Sequence, residues 1–256
     1  MTRQTPPNAP PPTQPAWKTH LGPGSNDGTV YESHFNPVLL DSIAQAPRVL
    51  LDIGCSSGLF GEAVRQRHPD CRTIGIEPHE ATAKVAATRL HQVIQAPFEA
   101  VDFAAEGIAP GSIDTVVAAD VLEHMVDPWR ALLKIKPMLS ADAQLIFSVP
   151  NGRFIRFVHG ILEMGDWQYT DRGMLDVTHL RFFSLKTFTT LLNETGYKVE
   201  HCNYYLDQTL EQFYTETVKQ PKINFGMGRM VLNDLTPQEL AELCTWQFFI
   251  RARVAG

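Results

Sequence analysis

Two carboxylates and a loop of small residues carry the strongest chemical signal in the chain. Asp52 stands near the end of an apolar run, Val49-Leu50-Leu51-Asp52-Ile53, which breaks into Gly54-Cys55-Ser56-Ser57-Gly58. A second apolar run, Thr73-Ile74-Gly75-Ile76, ends in Glu77. A small-residue loop lets backbone approach a ligand closely, and an acid closing the next strand can accept both hydroxyls of a ribose. Asp52 can support the loop or meet a ligand ammonium through water. Two histidines could do proton chemistry: His124, after Asp120 and Glu123, and His179, between Asp176 and Arg181. Histidine titrates near neutral pH and suits removal of a proton from a hydroxyl or amine.

Spacing separates the ligands such a loop could take. A dinucleotide fingerprint needs glycines at 54, 56 and 59, but 56 and 59 are Ser and Leu. A phosphate-binding P-loop needs Lys and Ser/Thr after its second glycine, and Leu59 follows Gly58. Gly54-Cys55-Ser56-Ser57-Gly58 also matches the G-x-S-x-G elbow of serine hydrolases, with Asp120 or Asp176 and His179 or His201 to complete a triad. An elbow normally follows several strands and an oxyanion loop; only a proline-rich stretch and a short helix precede Ser56. A single nucleoside with a charged tail, free of pyrophosphate, fits the loop better.

The elements that must position these residues follow a regular alternation. Strands are expected at 49–53, 72–76, 92–95, 113–118, 144–149, 197–204 and 245–254. Helices are expected at 59–67, 80–90, 127–139 and 185–195, with one or two more over 30–44 broken at Pro37. Strands alternating with helices imply a mainly parallel sheet covered on both faces. Residues 1–28 form a proline-rich tail with little to bury. Segments 151–184 and 206–243 break the rhythm and are expected as lid-like insertions; the second begins as a helix over 206–218 and then turns irregular.

Bulk properties narrow the partners. The chain has 256 residues, 44% of them hydrophobic, and a formal net charge of -6. That suits one ordinary domain with a tail and argues against nucleic acid, which needs a basic field. Cys55, Cys71, Cys202 and Cys244 have neither C-x-x-C nor zinc-finger spacing, consistent with scattered thiols in a reducing cytoplasm. No apolar run has membrane-spanning length and no signal pattern opens the chain, so neither a membrane nor export is expected.

With these features in place, the chain resembles the class I S-adenosylmethionine-dependent methyltransferases. Val49–Gly58 looks like their first motif, Glu77-Pro78 like the ribose acid, and Ala119–His124 with Asp127-Pro128 like the segment after the fourth strand. Ser148–Asn151, Gly165–Tyr169 and Gly173–Ser184 are similar to a bacterial group associated with glycosyltransferases. The likeness covers about residues 30–205. Ser56 departs from it, since the family usually has glycine there.

The resemblance implies a Rossmann-like α/β three-layer sandwich, with a mainly parallel seven-stranded sheet whose last strand, 245–254, is antiparallel. It implies S-adenosylmethionine as cofactor, held by Asp52, Gly54, Ser56, Gly58, Glu77, Pro78, Phe98, Asp120 and Val121, with adenine near Phe98 and Glu99. Phe98 serves equally as core. His179 is the first candidate for catalytic base, oriented by Asp176 and Arg181, although the three could instead pin the lid. His124 is the second candidate. The acid, acid and histidine at 120, 123 and 124 resemble the cation ligands of ubiquinone-type O-methyltransferases, but the shorter Asp120 and the histidine suit a hard cation poorly, and no metal is expected. Trp167, Tyr169, Phe182 and Phe183 could wall an acceptor or form lid core. Arg153 and Arg156 could hold a diphosphate or carboxylate, or simply face solvent. The acceptor is expected to be a small molecule such as a sugar, nucleotide-sugar or secondary metabolite, methylated on oxygen. The oligomeric state is open, a homodimer included. A non-catalytic binding module with the same fold is the alternative.

Overall fold

The computed structural model describes residues 35–165, 167, 169, 170 and 173–255, so the expected tail at 1–28 lies outside the described residues. Helix α1 (Pro37–Asp41) starts where Asn36 accepts the amide of Val38. The alternation then proceeds through β1 (Val49–Ile53), α2 (Leu59–Arg67), β2 (Arg72–Ile76), α3 (Glu80–Ala86), β3 (Gln92–Ile94), β4 (Ile113–Ala119), α4 (Pro128–Ile135) and β5 (Leu139–Pro150). It continues with α5 (Ile155–His159), α6 (Leu185–Glu194), β6 (Tyr197–Leu206), α7 (Glu211–Thr217), the pair β7 (Ile223–Met227) and β8 (Met230–Leu235), α8 (Pro237–Cys244) and β9 (Thr245–Val254).

Seven strands form one sheet in the order β3-β2-β1-β4-β5-β9-β6, with β9 antiparallel to both neighbours and the other pairings parallel. The near-continuous apolar runs of the parallel strands have one cause: both faces are covered. Side chains alternate between two cores, as the strand period of two requires. Leu50, Val117, Ile146 and Phe249 pack with Leu39 of α1 and Phe60 and Val64 of α2. Leu51, Ile53, Val116, Phe147, Phe248 and Ile250 pack on the other face with Leu132 of α4 and Phe188 and Leu191 of α6.

Several expected boundaries move for local reasons. Helix α4 begins after Asp127, which accepts the amide of Arg130, but stops at Ile135. Pro137 has no N–H to continue it, and the chain tightens into a 3-10 turn over Lys136–Met138. Helix α3 ends at Ala86; beyond it Thr88 Oγ1 donates to the Val85 carbonyl, a local bond that competes with helix continuation. Helix α6 runs from a Ser184/Thr187 capping box to a left-handed Gly196 just past its end.

The largest departure is at the C-terminal insertion. Strand β6 continues to Leu206, so the helix expected from 206 starts only at Glu211. The stretch expected to be irregular is a β7–β8 hairpin followed by α8. Ile223 and Phe225 alternate inward and join Ile155, Leu210, Leu240 and Leu243 in a small separate core. Among the described residues no helix is long and apolar enough to cross a membrane.

Candidate active site

The parallel strands end at a cavity of about 1070 Å³. It opens where the connections leave β1 and β4 in opposite directions, the switch point at which ligands of such sheets lie. Its walls divide along the strand order. Asp52 to Ser57, Glu77, Pro78 and Phe98 come from the β1–β3 half; Asp120, Ser148, Pro150, Tyr205, Trp246 and Gln247 come from the β4–β6 half.

On the first half, Gly54 and Gly58 adopt φ of 72° and 80°, a region closed to most side chains. A Cβ at Gly54 would lie 2.6 Å from Val121 Cγ2, so Val121 packs directly under the loop. Ser56 also has a positive φ, 47°, which is why glycine is favoured at that place. Among the described residues its hydroxyl makes no hydrogen bond to a histidine, so the elbow of a serine hydrolase lacks its base. Glu77 accepts the Ser56 amide at 3.0 Å and the His79 amide at 2.8 Å, one on each oxygen. A carboxylate oxygen has two lone pairs, so each still has one for a ribose hydroxyl. Burial raises the Glu77 carboxyl pKa, opposed by those two amides. Asp52 is buried, and its Oδ2 has no hydrogen-bond partner. Burial and then the nearby Glu77 push its pKa up to about 8. An orphaned buried acceptor at the cavity wall fits a cationic ligand tail. Phe98 meets Phe103 edge to face at 6.1 Å while also lining the cavity, so it serves core and pocket together.

On the second half, Asp120 sits at φ 53°, and its Oδ1 accepts from Gln247 Nε2 at 2.6 Å. Gln247 belongs to β9, so the last strand fixes the loop after β4, a contact no local motif announced. Burial raises the Asp120 pKa, partly offset by Gln247. Glu123 is buried with neither carboxyl oxygen partnered, and burial followed by Asp120 raises it well above the ordinary range. Its backbone carbonyl accepts the amides of Leu180 and Arg181, tying this turn to the 173–184 segment.

The structure brings the two candidate bases together, with ring centroids 4.7 Å apart in an edge-to-face contact. Their orientation differs from expectation. His179 Nδ1 faces the Met174 carbonyl at 3.0 Å, so the neutral ring carries its proton there and its lone pair on Nε2. Asp176 does not hold His179 by its carboxylate. It accepts from the Thr178 hydroxyl at 2.6 Å, and Thr178 Oγ1 in turn accepts from His124 Nδ1 at 2.9 Å. Asp176 thus orients His124 through a threonine, while Arg181 donates to the Val126 and Leu180 carbonyls. Glu123, His124 and His179 each offer one ligand atom, all within 4.8 Å of one another. The third member of the cluster is His179; Asp120, which the resemblance set beside Glu123 and His124, is not in it.

For two groups of residues the structure favours the alternative to acceptor contact. Trp167, Phe157 and Phe182 form their own aromatic cluster, and Phe183 packs on Phe188 in the core; none of these, nor Tyr169, is on the cavity wall. Arg153 is paired with Glu242 at 2.8 Å, and Arg156 with Asp207 at 3.7 Å and Thr209. Tyr205, Trp246, Phe154 and Met174 line the cavity instead. No residue of 206–243 is among the described residues that line it.

A sheet of this order, with a glycine loop after its first strand and a carboxylate closing its second, defines a class I S-adenosylmethionine-dependent methyltransferase. A family model described as a methyltransferase domain matches residues 33–202, and the chain belongs to that family. The ubiquinone biosynthesis O-methyltransferase of Pseudomonas paraeruginosa is 34% identical over 112 residues, covering 41% of this chain and 46% of the relative. Its namesake from Xanthomonas campestris is 32% identical over 126 residues, covering 45% and 50%. The chain thus spans about half the length of the curated relatives it matches. An S-adenosylmethionine-dependent methyltransferase from Mesorhizobium loti superposes with a TM-score of 0.55 at 14% identity, over 85% of this chain and 96% of that one. One from Archaeoglobus fulgidus gives 0.53 at 15% identity, over 80% and 85%. These two likenesses carry the fold.

Proposed function

We propose that the protein methylates a hydroxyl of a small molecule, with His179 as the base that takes the hydroxyl proton. S-adenosylmethionine supplies an electrophilic methyl group on a sulfonium centre when bound. The chain's residues do the rest by positioning, which is most of what such a transfer needs. Asp52 takes the cationic tail, Glu77 the ribose hydroxyls and Phe98 the adenine. Gly54, Ser56, Gly58, Pro78, Asp120 and Val121 shape the walls, and residues 173–179 close over the acceptor.

One observation carries the base assignment: buried His179, on the cavity wall, has Nδ1 committed to the Met174 carbonyl and a lone pair on Nε2. The O-methyltransferase names of the curated relatives support oxygen as the methylated atom. His179→Ala is expected to lower kcat by about 100-fold or more, with unchanged calorimetric affinity for S-adenosylhomocysteine and unchanged Tm. Near-normal turnover in a well-folded variant removes His179 from the role.

A second reading has one observation behind it: the close approach of Glu123, His124 and His179 could hold a divalent cation that activates the hydroxyl. Incubation with EDTA followed by desalting decides between the two. Retained turnover supports the metal-free base; loss restored by a divalent cation supports the metal.

A further inference from the structure

The half of the cavity built from β4, β5, β9 and β6 carries two large aromatic side chains that neither core absorbs. Tyr205, near the end of β6, is 36% exposed, and Trp246, on β9, is 38% exposed. Both line the cavity, with ring centroids 5.5 Å apart at an interplanar angle of 67°. Tyr205 also rests edge-on against Phe249 at 5.7 Å, a buried ring that fixes its direction. Two preset rings facing open space form a ready contact surface for another ring, at little ordering cost.

The ionisable side chains at this end are carboxyls and the imidazoles of His124 and His179. Asp120, Glu123 and Asp176 line this end of the cavity, and among its described lining residues there is no lysine or arginine. The two arginines nearest in sequence to the cavity-lining Phe154 are committed elsewhere, Arg153 to Glu242 and Arg156 to Asp207. A carboxylate or phosphate brought here would lose its hydration with no lysine or arginine to pair it, a cost an uncharged ligand avoids.

We propose that Tyr205 and Trp246 form the seat of the methyl acceptor, and that this seat takes an uncharged ring compound and rejects anionic ones, acyl and phosphoryl alike. The proposal rests on the methyl-transfer reading above and narrows its acceptor: a nucleotide-sugar is disfavoured, and a neutral, hydroxyl-bearing ring is favoured. Tyr205 and Trp246 act on acceptor affinity and leave the donor site untouched, because they belong to the opposite half of the sheet.

Calorimetry on the full chain tests this, with 4-methylcatechol and 3,4-dihydroxybenzoate as shape-matched probes. The protein is first saturated with S-adenosylhomocysteine, and that step is measured on its own. The neutral probe is expected to bind about tenfold more tightly than the carboxylate. Tyr205→Ala and Trp246→Ala are each expected to weaken the neutral probe by about tenfold, and Trp246→Phe to restore most of the loss. Donor-product affinity and Tm should be unchanged in all three variants. The proposal is overturned if the carboxylate binds as well as the neutral probe, if neither binds, or if the alanine variants bind like the parent. Absence of heat with S-adenosylhomocysteine instead overturns the methyl-transfer reading beneath it, so the two failures are distinguishable.

Discussion

Asp52 shows how one buried acid ties fold stability to ligand charge. Its pKa is pushed up to about 8, chiefly by burial, so the free fold keeps it neutral and is most stable on the acid side. That contribution is lost as pH rises through about 8, where the charge must be buried without a partner. A bound cation reverses the preference and draws the proton off. Cofactor affinity is therefore expected to rise with pH up to about 8 and then level, with proton release visible when calorimetry is repeated in buffers of different ionisation enthalpy. Asp52→Asn should flatten the profile; an unchanged profile would assign it to another group. Ser56 offers a second test. Its positive φ costs an L-residue about 1 kcal/mol that glycine avoids, although glycine also loosens the unfolded chain. Ser56→Gly is expected to keep full cofactor affinity and shift stability by less than about 1 kcal/mol, read by urea denaturation.

At the scale of elements, one buried side chain bonds to all three sides of the junction of β5, α8 and β9. Asn151 is fully buried just beyond β5. Its Nδ2 donates to the carbonyls of Glu242 and Thr245, each at 2.7 Å, and its Oδ1 accepts the Arg153 amide at 2.9 Å. Removing it strands two buried carbonyls and one amide. Asn151→Ala is expected to cost about 2–4 kcal/mol, read as a fall in denaturation midpoint at unchanged slope. It should also weaken acceptor binding more than cofactor binding, since Trp246 and Gln247 follow directly on that junction. The same region explains what local reading missed. The alternation of Ile223 and Phe225, and the two-residue Gly228-Arg229 link between β7 and β8, are a hairpin pattern. Without a partner surface the same residues are indistinguishable from an irregular loop. The core of Ile155, Leu240 and Leu243 that makes the hairpin worth forming is assembled from distant segments.

At the scale of the molecule, the sheet order places Asp52 and Glu77 in one half of the cavity and Tyr205 and Trp246 in the other, and the proposed donor and acceptor sites divide with them. Substitutions on the two sides are therefore expected to add: Asp52→Asn with Trp246→Ala should change donor and acceptor affinities by the sum of the single effects, within about 0.5 kcal/mol. A larger deviation would show the halves coupled through the Asp120–Gln247 hydrogen bond. The sequence by itself determined the seven strands of the main sheet, the helix α2 after the loop, the glycine turn and the two acids, because a strand–loop–helix unit is a local matter of hydrophobic period and backbone freedom. Only the tertiary structure decided that His179 and not Asp120 joins Glu123 and His124, that Asp176 serves His124 through Thr178, and that Tyr205 and Trp246 line the cavity while Trp167 and Phe182 pack with each other. Those relations come from strands laid side by side out of chain order and from a loop folded back across them. Contact between residues so far apart along the chain follows from the packing of whole layers, which no short stretch of residues encodes.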